Sequence, residues 1–285
     1  MRARSHLTCA DPTFPEPTGL DGGAAEPPPS CRTSSFDDWI PRNYLAEYFG
    51  EVQEDERHVL RYFVEQMRGA ERGPVLFFGC GPGLNRVFSA APHCSELVLS
   101  DYLAQNLAEL DDWLRDRPTA HDWKPFVRFT LACESGREPT EREVRQRMQA
   151  IRRASPRLLE ADAGKIDPLG SAYRGRFATV LSAFCADSAT LDRQVWVRYS
   201  RNIASLVRPG GLLLTAALRR CRRYRVGSRY FPSANVDESD LLSVLSADFL
   251  PDSISVERRD VSQHHHQGYA GILLARARKA VARPR

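Results

Sequence analysis

Apolar positions along the chain change period several times. Val59, Leu60, Phe63, Val64 and Met67 recur at three-to-four spacing, which predicts an amphipathic helix ending near Gly69. After Gly73-Pro74 the spacing collapses: Val75-Leu76-Phe77-Phe78 is a continuous apolar run stopped by a glycine, the mark of a strand buried on both faces. Residues 96–100 and 177–184 read as further strands. Leu103, Leu107, Leu110 and Leu114 mark a helix, and residues 191–206 another, with Val195, Tyr199, Ile203 and Leu206 inward. Pro209-Gly210-Gly211 breaks the chain before a strand at 212–214. A helix at 238–247 shows Leu241, Leu242 and Leu245, and 253–258 and 271–276 close the sequence as two strands. Only about a dozen residues join those two, so they are expected to pair antiparallel. Strands alternating with helices at this spacing predict an α/β fold built on a mostly parallel, Rossmann-like sheet with its last strand antiparallel.

Three segments depart from that rhythm. Residues 1–35 hold six prolines and three glycines with almost no aromatic residue, a composition that cannot bury enough apolar surface to order itself, so a disordered leader is expected. Aromatic residues then crowd 36–49 (FDDWIPRNYLAEYF), and 36–73 reads as an N-terminal helical lid ahead of a main domain at 74–285. The polar stretch 134–157, whose apolar ladder is Val144, Met148 and Ile151, is expected to be at most a surface helix inserted between core elements, its charged face solvated.

The 285 residues, 42% of them hydrophobic, suit one large domain with appendages. Apolar runs fall short of the about 20 residues a membrane helix needs, and the first residues carry no apolar h-region of a secretory signal. Seven cysteines without C-x-x-C spacing fit neither a disulfide framework nor a zinc knuckle and suit a reducing cytoplasm. The net charge of +4 on 40 basic and 36 acidic groups is too balanced to imply nucleic acid as a partner. Only Lys124, Lys165 and Lys279 are lysines; the arginine excess points to a GC-rich bacterial coding sequence.

The candidate chemistry centres on Gly79-Cys80-Gly81-Pro82-Gly83, directly after the strand at 75–78. Glycines there permit positive φ and let the backbone approach a ligand without a Cβ in the way. Asp101 lies twenty residues beyond Gly81, at the end of the second strand. In a doubly wound sheet such a carboxylate stands across the first crevice and can accept both ribose hydroxyls of a nucleotide. The loop reads G-x-G-x-G rather than the dinucleotide G-x-G-x-x-G, which turns the expectation from hydride transfer toward another adenosine ligand.

Here a resemblance becomes specific. PRNYLAEYF (41–49), GCGPG (79–83), SDYLAQNLAELDDWLRDRPTAHDW (100–123), LEADAGKIDPLG (159–170), LSAFCADSA (181–189) and LVRPGGLLL (206–214) follow in register, and together they resemble the nicotinamide, phenylethanolamine and indolethylamine N-methyltransferases, class I S-adenosylmethionine-dependent enzymes. The resemblance covers about residues 36 to 279. It implies that S-adenosyl-L-methionine is the cofactor, that Tyr44 on the lid and Gly79 and Gly81 meet its methionine end, that Asp101, Tyr102 and Asn106 hold the ribose, and that Asp162 and Ala163 hold the adenine edge. It further implies Tyr48, Asp187, Tyr224 and Ser233 on the acceptor side, and places the segment containing His264, His265 and His266 there as well.

The departures bear on the acceptor. Phe77-Phe78 stands where most methyltransferases keep an acid, Asn85 and Phe49 stand for family tyrosines, and Ala217 stands where the amine enzymes carry a carboxylate that meets the acceptor nitrogen. The same loop supplies Arg219, Arg220, Arg222, Arg223 and Arg225, and guanidinium groups suit a carboxylate or a neutral ring better than an ammonium, unless they are merely solvated. Asp187 and His265 are the candidate catalytic groups, since an aromatic carbon acceptor needs a base to take its proton; alternatively Asp187 is a helix N-cap and the histidines a surface run. No metal site is expected. The reading is a cytoplasmic methyltransferase acting on a small aromatic or amine-bearing molecule in bacterial secondary metabolism, with C-methylation of an electron-rich ring such as indole as the alternative. A nucleic-acid modifier using the arginine loop and a cofactor-binding protein without catalysis are the rivals from other classes.

Overall fold

The computed structural model describes residues 33–281, so most of the expected leader (1–35) lies outside the described residues. The chain begins with a short turn at Phe36–Asp38 and helix α1 (Pro41–Tyr48), followed by α2 (Glu54–Met67). The alternating core is β1 (Gly73–Phe78), α3 (Val87–Ala90), β2 (Cys94–Asp101), α4 (Ala104–Leu114), α5 (Lys124–Ser135), α6 (Glu141–Ala154), β3 (Arg157–Glu160), β4 (Phe177–Ala183) and α7 (Arg193–Ala204). The remainder is β5 (Val207–Leu218), a hairpin of β6 (Arg223–Val226) and β7 (Arg229–Pro232), α8 (Glu238–Ser246), β8 (Ser255–Asp260) and β9 (Gly271–Arg278).

Seven strands form one sheet in the order β3-β2-β1-β4-β5-β9-β8. The first five run parallel, and β9 pairs antiparallel with both β5 and β8. The reversed strand is thus the last in sequence but sits inside the sheet, with β8 at the edge. Strand residues alternate between two buried layers. Val75 and Phe77 of β1 join the layer with α2, α5 and α6, while Leu76 and Phe78 join that with α7 and α8. Both faces are covered, which is why β1 reads as an unbroken apolar run.

Several expected elements shift. The strand expected at 212–214 starts at Val207, and Pro209-Gly210-Gly211 lies within an irregular start of β5 rather than ahead of it. A Cβ at Gly211 would come within 3.0 Å of the Phe177 and Ala178 carbonyl oxygens, so only glycine fits against β4. In α7 Ile203 is buried as expected, but Trp196 is buried where Val195 is only half-buried, and in α8 Val244 is buried while Leu242 is 48% exposed. The stretch 134–157 holds the end of α5 and all of α6, with Val144 and Ile151 fully buried. A capping box of Thr140 and Glu143 starts α6, and Arg147 reaches Glu134 at 2.6 Å and the Phe88 carbonyl at 2.6 Å. The element is part of the core wall, because three apolar residues at three-to-four spacing suffice to seat a helix whose other faces are charged. Helix α5, strand β3 and the β6–β7 hairpin carry too few patterned positions to be read from sequence.

Helix α2 is bound into this wall by Val59, Leu60 and Phe63, all fully buried. Phe63→Ala is expected to cost about 3–5 kcal/mol in urea unfolding, the scale for emptying a buried phenylalanine; a loss below about 1 kcal/mol would show that α2 is not integral to the core.

Candidate active site

The parallel strands β1, β2 and β4 end together, and their C-terminal ends open into a cavity of about 600 Å³. A crevice at this end is where open α/β sheets bind ligands. Gly79, Gly81, Asp101, Tyr102, Asn106, Asp162 and Ala163 all line it, as do Tyr44 from α1 and Tyr224 from β6. Nine positions expected at the site thus meet in one cavity, although they are scattered over 181 residues of sequence (224 minus 44, plus one).

The glycine loop is held from both sides. Gly79 has φ +63° and Gly81 φ +60°, and a Cβ at Gly79 would overlap the Cys185 sulfur at the end of β4. The Gly81 amide donates to Asp101 Oδ2 at 2.7 Å. Asp101 Oδ1 accepts from the Leu103 amide and from Asn106 Nδ2, both at 2.9 Å. Asn106 Oδ1 in turn accepts from the Trp39 indole at 2.9 Å. Burial raises the Asp101 pKa, with the Leu103, Asn106 and Gly81 donors opposing it. Tyr102 is 68% exposed and forms the rim. On the next turn Asp162 Oδ1 accepts from the Gly164 amide at 2.8 Å, and Asn202 Nδ2 donates to the Ala163 carbonyl at 2.8 Å.

Other wall residues escaped the sequence reading. Phe36 and Trp39 belong to the aromatic cluster noted there, but nothing in the local pattern singles them out from Tyr44. Tyr199 lies on the face of α7 assigned to the core and instead lines the cavity. Phe184 has φ +52°, a left-handed conformation that costs a phenylalanine about 1–3 kcal/mol and bends the chain at the end of β4 toward the cavity. Arg86, just after the glycine loop, is 4% exposed and ion-paired with Glu56 of α2; a lone arginine gives no sequence signal of burial.

The acceptor-side expectations are redistributed. Asp187 does not line the large cavity; it is 2% exposed, and its Oδ2 accepts from the Leu218 amide at 2.8 Å and the Ser188 hydroxyl at 3.2 Å, so it ties the turn after β4 to the end of β5 while Ser188 faces the cavity. Ser233 is buried with its amide on the Arg222 carbonyl at 2.8 Å, outside the cavity wall. His265 is exposed on the surface, as is His266; the buried member of the run is His264, because the turn at His265–Gln267 directs only that ring inward. Tyr48 lies deeper than the cavity, its hydroxyl donating to the Arg225 carbonyl at 2.7 Å. None of Arg219, Arg220, Arg222, Arg223 and Arg225 lines the cavity; Arg219 meets Glu238 at 2.8 Å and Arg225 lies 3.6 Å from Glu47.

The model of the NNMT/PNMT/TEMT family matches residues 30–280. The chain belongs to this family. It is 31% identical to nicotinamide N-methyltransferase of Homo sapiens over 202 residues, covering 68% of this chain and 75% of that protein. It is 30% identical to indolethylamine N-methyltransferase of Mus musculus over 212 residues, covering 70% and 78%. In fold it is similar to an S-adenosylmethionine-dependent methyltransferase from Methanosarcina mazei, with a TM-score of 0.50 at 11% identity, covering 74% of this chain and 94% of that one. The family member described here is therefore an S-adenosylmethionine-dependent methyltransferase. Among the described residues no helix is long and apolar enough to cross a membrane.

Burial raises the Asp187 carboxyl to about 6, against the Leu218 and Ser188 donors. The folded protein then prefers the neutral form, so this group's contribution is present below about pH 4 and is lost as pH rises through about 6. About two pH units at about 1.4 kcal/mol each make roughly 3 kcal/mol. In denaturant titrations at pH 4 and 7.5, wild type should lose up to that amount relative to Asp187→Asn; an unchanged difference would show an ordinary carboxyl.

Proposed function

We propose that this family member N-methylates a small aromatic amine, with the large cavity holding the donor nucleoside. The supporting observation is that one cavity joins a glycine loop at positive φ, a buried carboxylate and an aromatic lid. These residues suit the donor: glycines leave room for a chain to pass, Asp101 retains a lone pair on Oδ2 for a hydroxyl group, and Trp39, Tyr44 and Phe184 make the surroundings dry. Asp101 and Asn106 would hold the ribose, Asp162 and Ala163 the adenine edge, and Gly79, Gly81 and Tyr44 the methionine end.

When bound, S-adenosylmethionine supplies an electrophilic methyl group on a sulfonium. The protein's part is to hold a nucleophile about 3–3.5 Å away, in line and shielded from water. Burial raises the pKa of Tyr44 to about 12, and that of Tyr224 well above 10, so both present neutral hydroxyls at the acceptor end. Asp187 behind the wall and His265 on the surface leave ring-carbon methylation without the bases first expected for it, which favours nitrogen as the acceptor atom. The arginine-rich, lysine-poor composition supports a bacterial setting, and the described cysteines, all unpaired, support a reducing compartment.

Mass spectrometry of products from labelled donor with phenethylamine, pyridine and indole libraries tests this; a nitrogen-methylated product is expected, and ring methylation or none would overturn it. Asp101→Ala is expected to weaken S-adenosylhomocysteine binding at least tenfold by calorimetry, about 1.4 kcal/mol or more. Unchanged affinity would move the ribose elsewhere.

A further inference from the structure

Beneath the lid a second, smaller cavity of about 30 Å³ adjoins the first. It shares Tyr44, Phe49, Phe184, Tyr224, Ser188 and Arg86 with the large cavity and adds Tyr48 and Tyr269, so its walls are mostly aromatic, and the one guanidinium among them is ion-paired with Glu56. The carboxylates of Asp55 and Glu56, from the first turn of α2, line this recess and not the large cavity. Both are nearly inaccessible, at 4% and 2%. Two buried carboxylates demand compensation.

Glu56 has it in full: the Arg86 guanidinium on one oxygen and Asn85 Nδ2 on the other at 2.7 Å. Asp55 is left with a weaker set. Its Oδ1 accepts from the Glu56 amide at 2.7 Å and lies 2.9 Å from His264 Nε2, and its Oδ2 accepts from the Tyr269 hydroxyl at 3.0 Å. The cation closest to it is thus an imidazole, charged only when protonated. Gln267 fixes that ring's tautomer. Its Nε2 donates to Glu47 Oε1 at 3.3 Å, which leaves its oxygen for His264 Nδ1. Nδ1 must then carry a hydrogen, and Nε2, 2.9 Å from Asp55 Oδ1 but without a hydrogen-bond partner, is the nitrogen that gains or loses a proton. Burial works to lower the His264 pKa, but Asp55, Gln267 and Glu54 outweigh it and raise it. Tyr48 and Tyr269 stack on the ring, and Arg86, Tyr44 and His58 are further charged or titratable groups that interact with Asp55.

We propose that this recess is the amine subsite of the acceptor: a protonated amine docks among the rings with Asp55 as counter-ion, and the Asp55–His264 pair removes its proton. The inference rests on the N-methyltransferase reading above and names the recognition of that acceptor. A recess this size takes an ammonium or methylammonium head, and aromatic faces beside a carboxylate favour a cation. In the step itself an N–H bond of the ammonium breaks and its electron pair stays on nitrogen as the lone pair. The proton passes through the Asp55 carboxylate to His264 Nε2. Ammonium and neutral imidazole become amine and imidazolium, so the charge in the recess is conserved. Because the arriving ammonium and protonated His264 compete for Asp55, amine binding tightens as pH rises through the His264 pKa. The carboxylate that the family's amine enzymes carry at the position of Ala217 is thereby replaced by one from α2.

The test uses the full chain saturated with S-adenosylhomocysteine. Calorimetry should show phenethylamine binding at least tenfold tighter than uncharged 2-phenylethanol, with the preference lost in Asp55→Asn and the donor-product affinity unchanged within twofold. Tyr269→Phe, which removes only one donor to Asp55, should reduce the preference partway and serves if Asp55→Asn does not fold. In turnover, His264→Asn should abolish the acid limb of kcat/KM for phenethylamine. Its effect on pyridine, whose neutral ring nitrogen has no proton to give up, should be at least fivefold smaller. Equal binding of the charged and neutral ligands, or equal losses for both acceptors, would overturn the subsite. If S-adenosylhomocysteine itself fails to bind, it is the methyltransferase reading that falls.

Discussion

The site depends on one buried carboxylate. Asp101 ends β2 and takes three donors at once, from Gly81, Leu103 and Asn106. Each belongs to a different piece of the cavity: the glycine loop, the turn after β2, and α4. Asn106 then passes the connection to Trp39 and so to the N-terminal segment that roofs the cavity. A charge this buried is tolerable only when such donors surround it, and charge-assisted bonds are about twice as strong as neutral ones. The arrangement makes the loop, the cavity floor and the lid mechanically dependent on one another. It also explains why the loop needs only three glycines and a proline: its shape is held from outside by Asp101 and by the packing of Gly79 on Cys185.

Around the smaller recess the decisive constraint is charge balance away from water. Arg86 replaces nothing visible in the sequence pattern, yet its guanidinium, set over the Phe184 ring at 5.0 Å and paired with Glu56, fixes one acid of α2 and leaves the neighbouring Asp55 to an imidazole. The arginines of the 219–225 segment, which in sequence suggest an anionic or neutral acceptor, do not line either cavity, although Tyr224 of the same segment does. Arg219 answers Glu238, and Arg225 answers Glu47, the residue that also holds Gln267.

The sequence by itself determined most strands of the sheet, their alternation with helices, and the glycine loop and carboxylate that meet in the large cavity. The physical reason is locality. A strand covered on both faces is apolar at every position, as in 75–78, and a tight loop at positive φ favours glycine, as at 79 and 81. The spacing from Gly81 to Asp101 is one strand–helix–strand unit, so it too is written in consecutive residues. Only the tertiary structure decided which side chains gather around the smaller recess. Asp55, Arg86, Phe184 and His264 come from four separate segments and have no shared period, and a three-histidine run looks the same whichever ring turns inward. Asp187, read as a site residue, became a bracket between β4 and β5 because its carboxylate met the Leu218 amide before it could reach the cavity. Burial and pairing belong to the folded arrangement, and no stretch of chain encodes them alone.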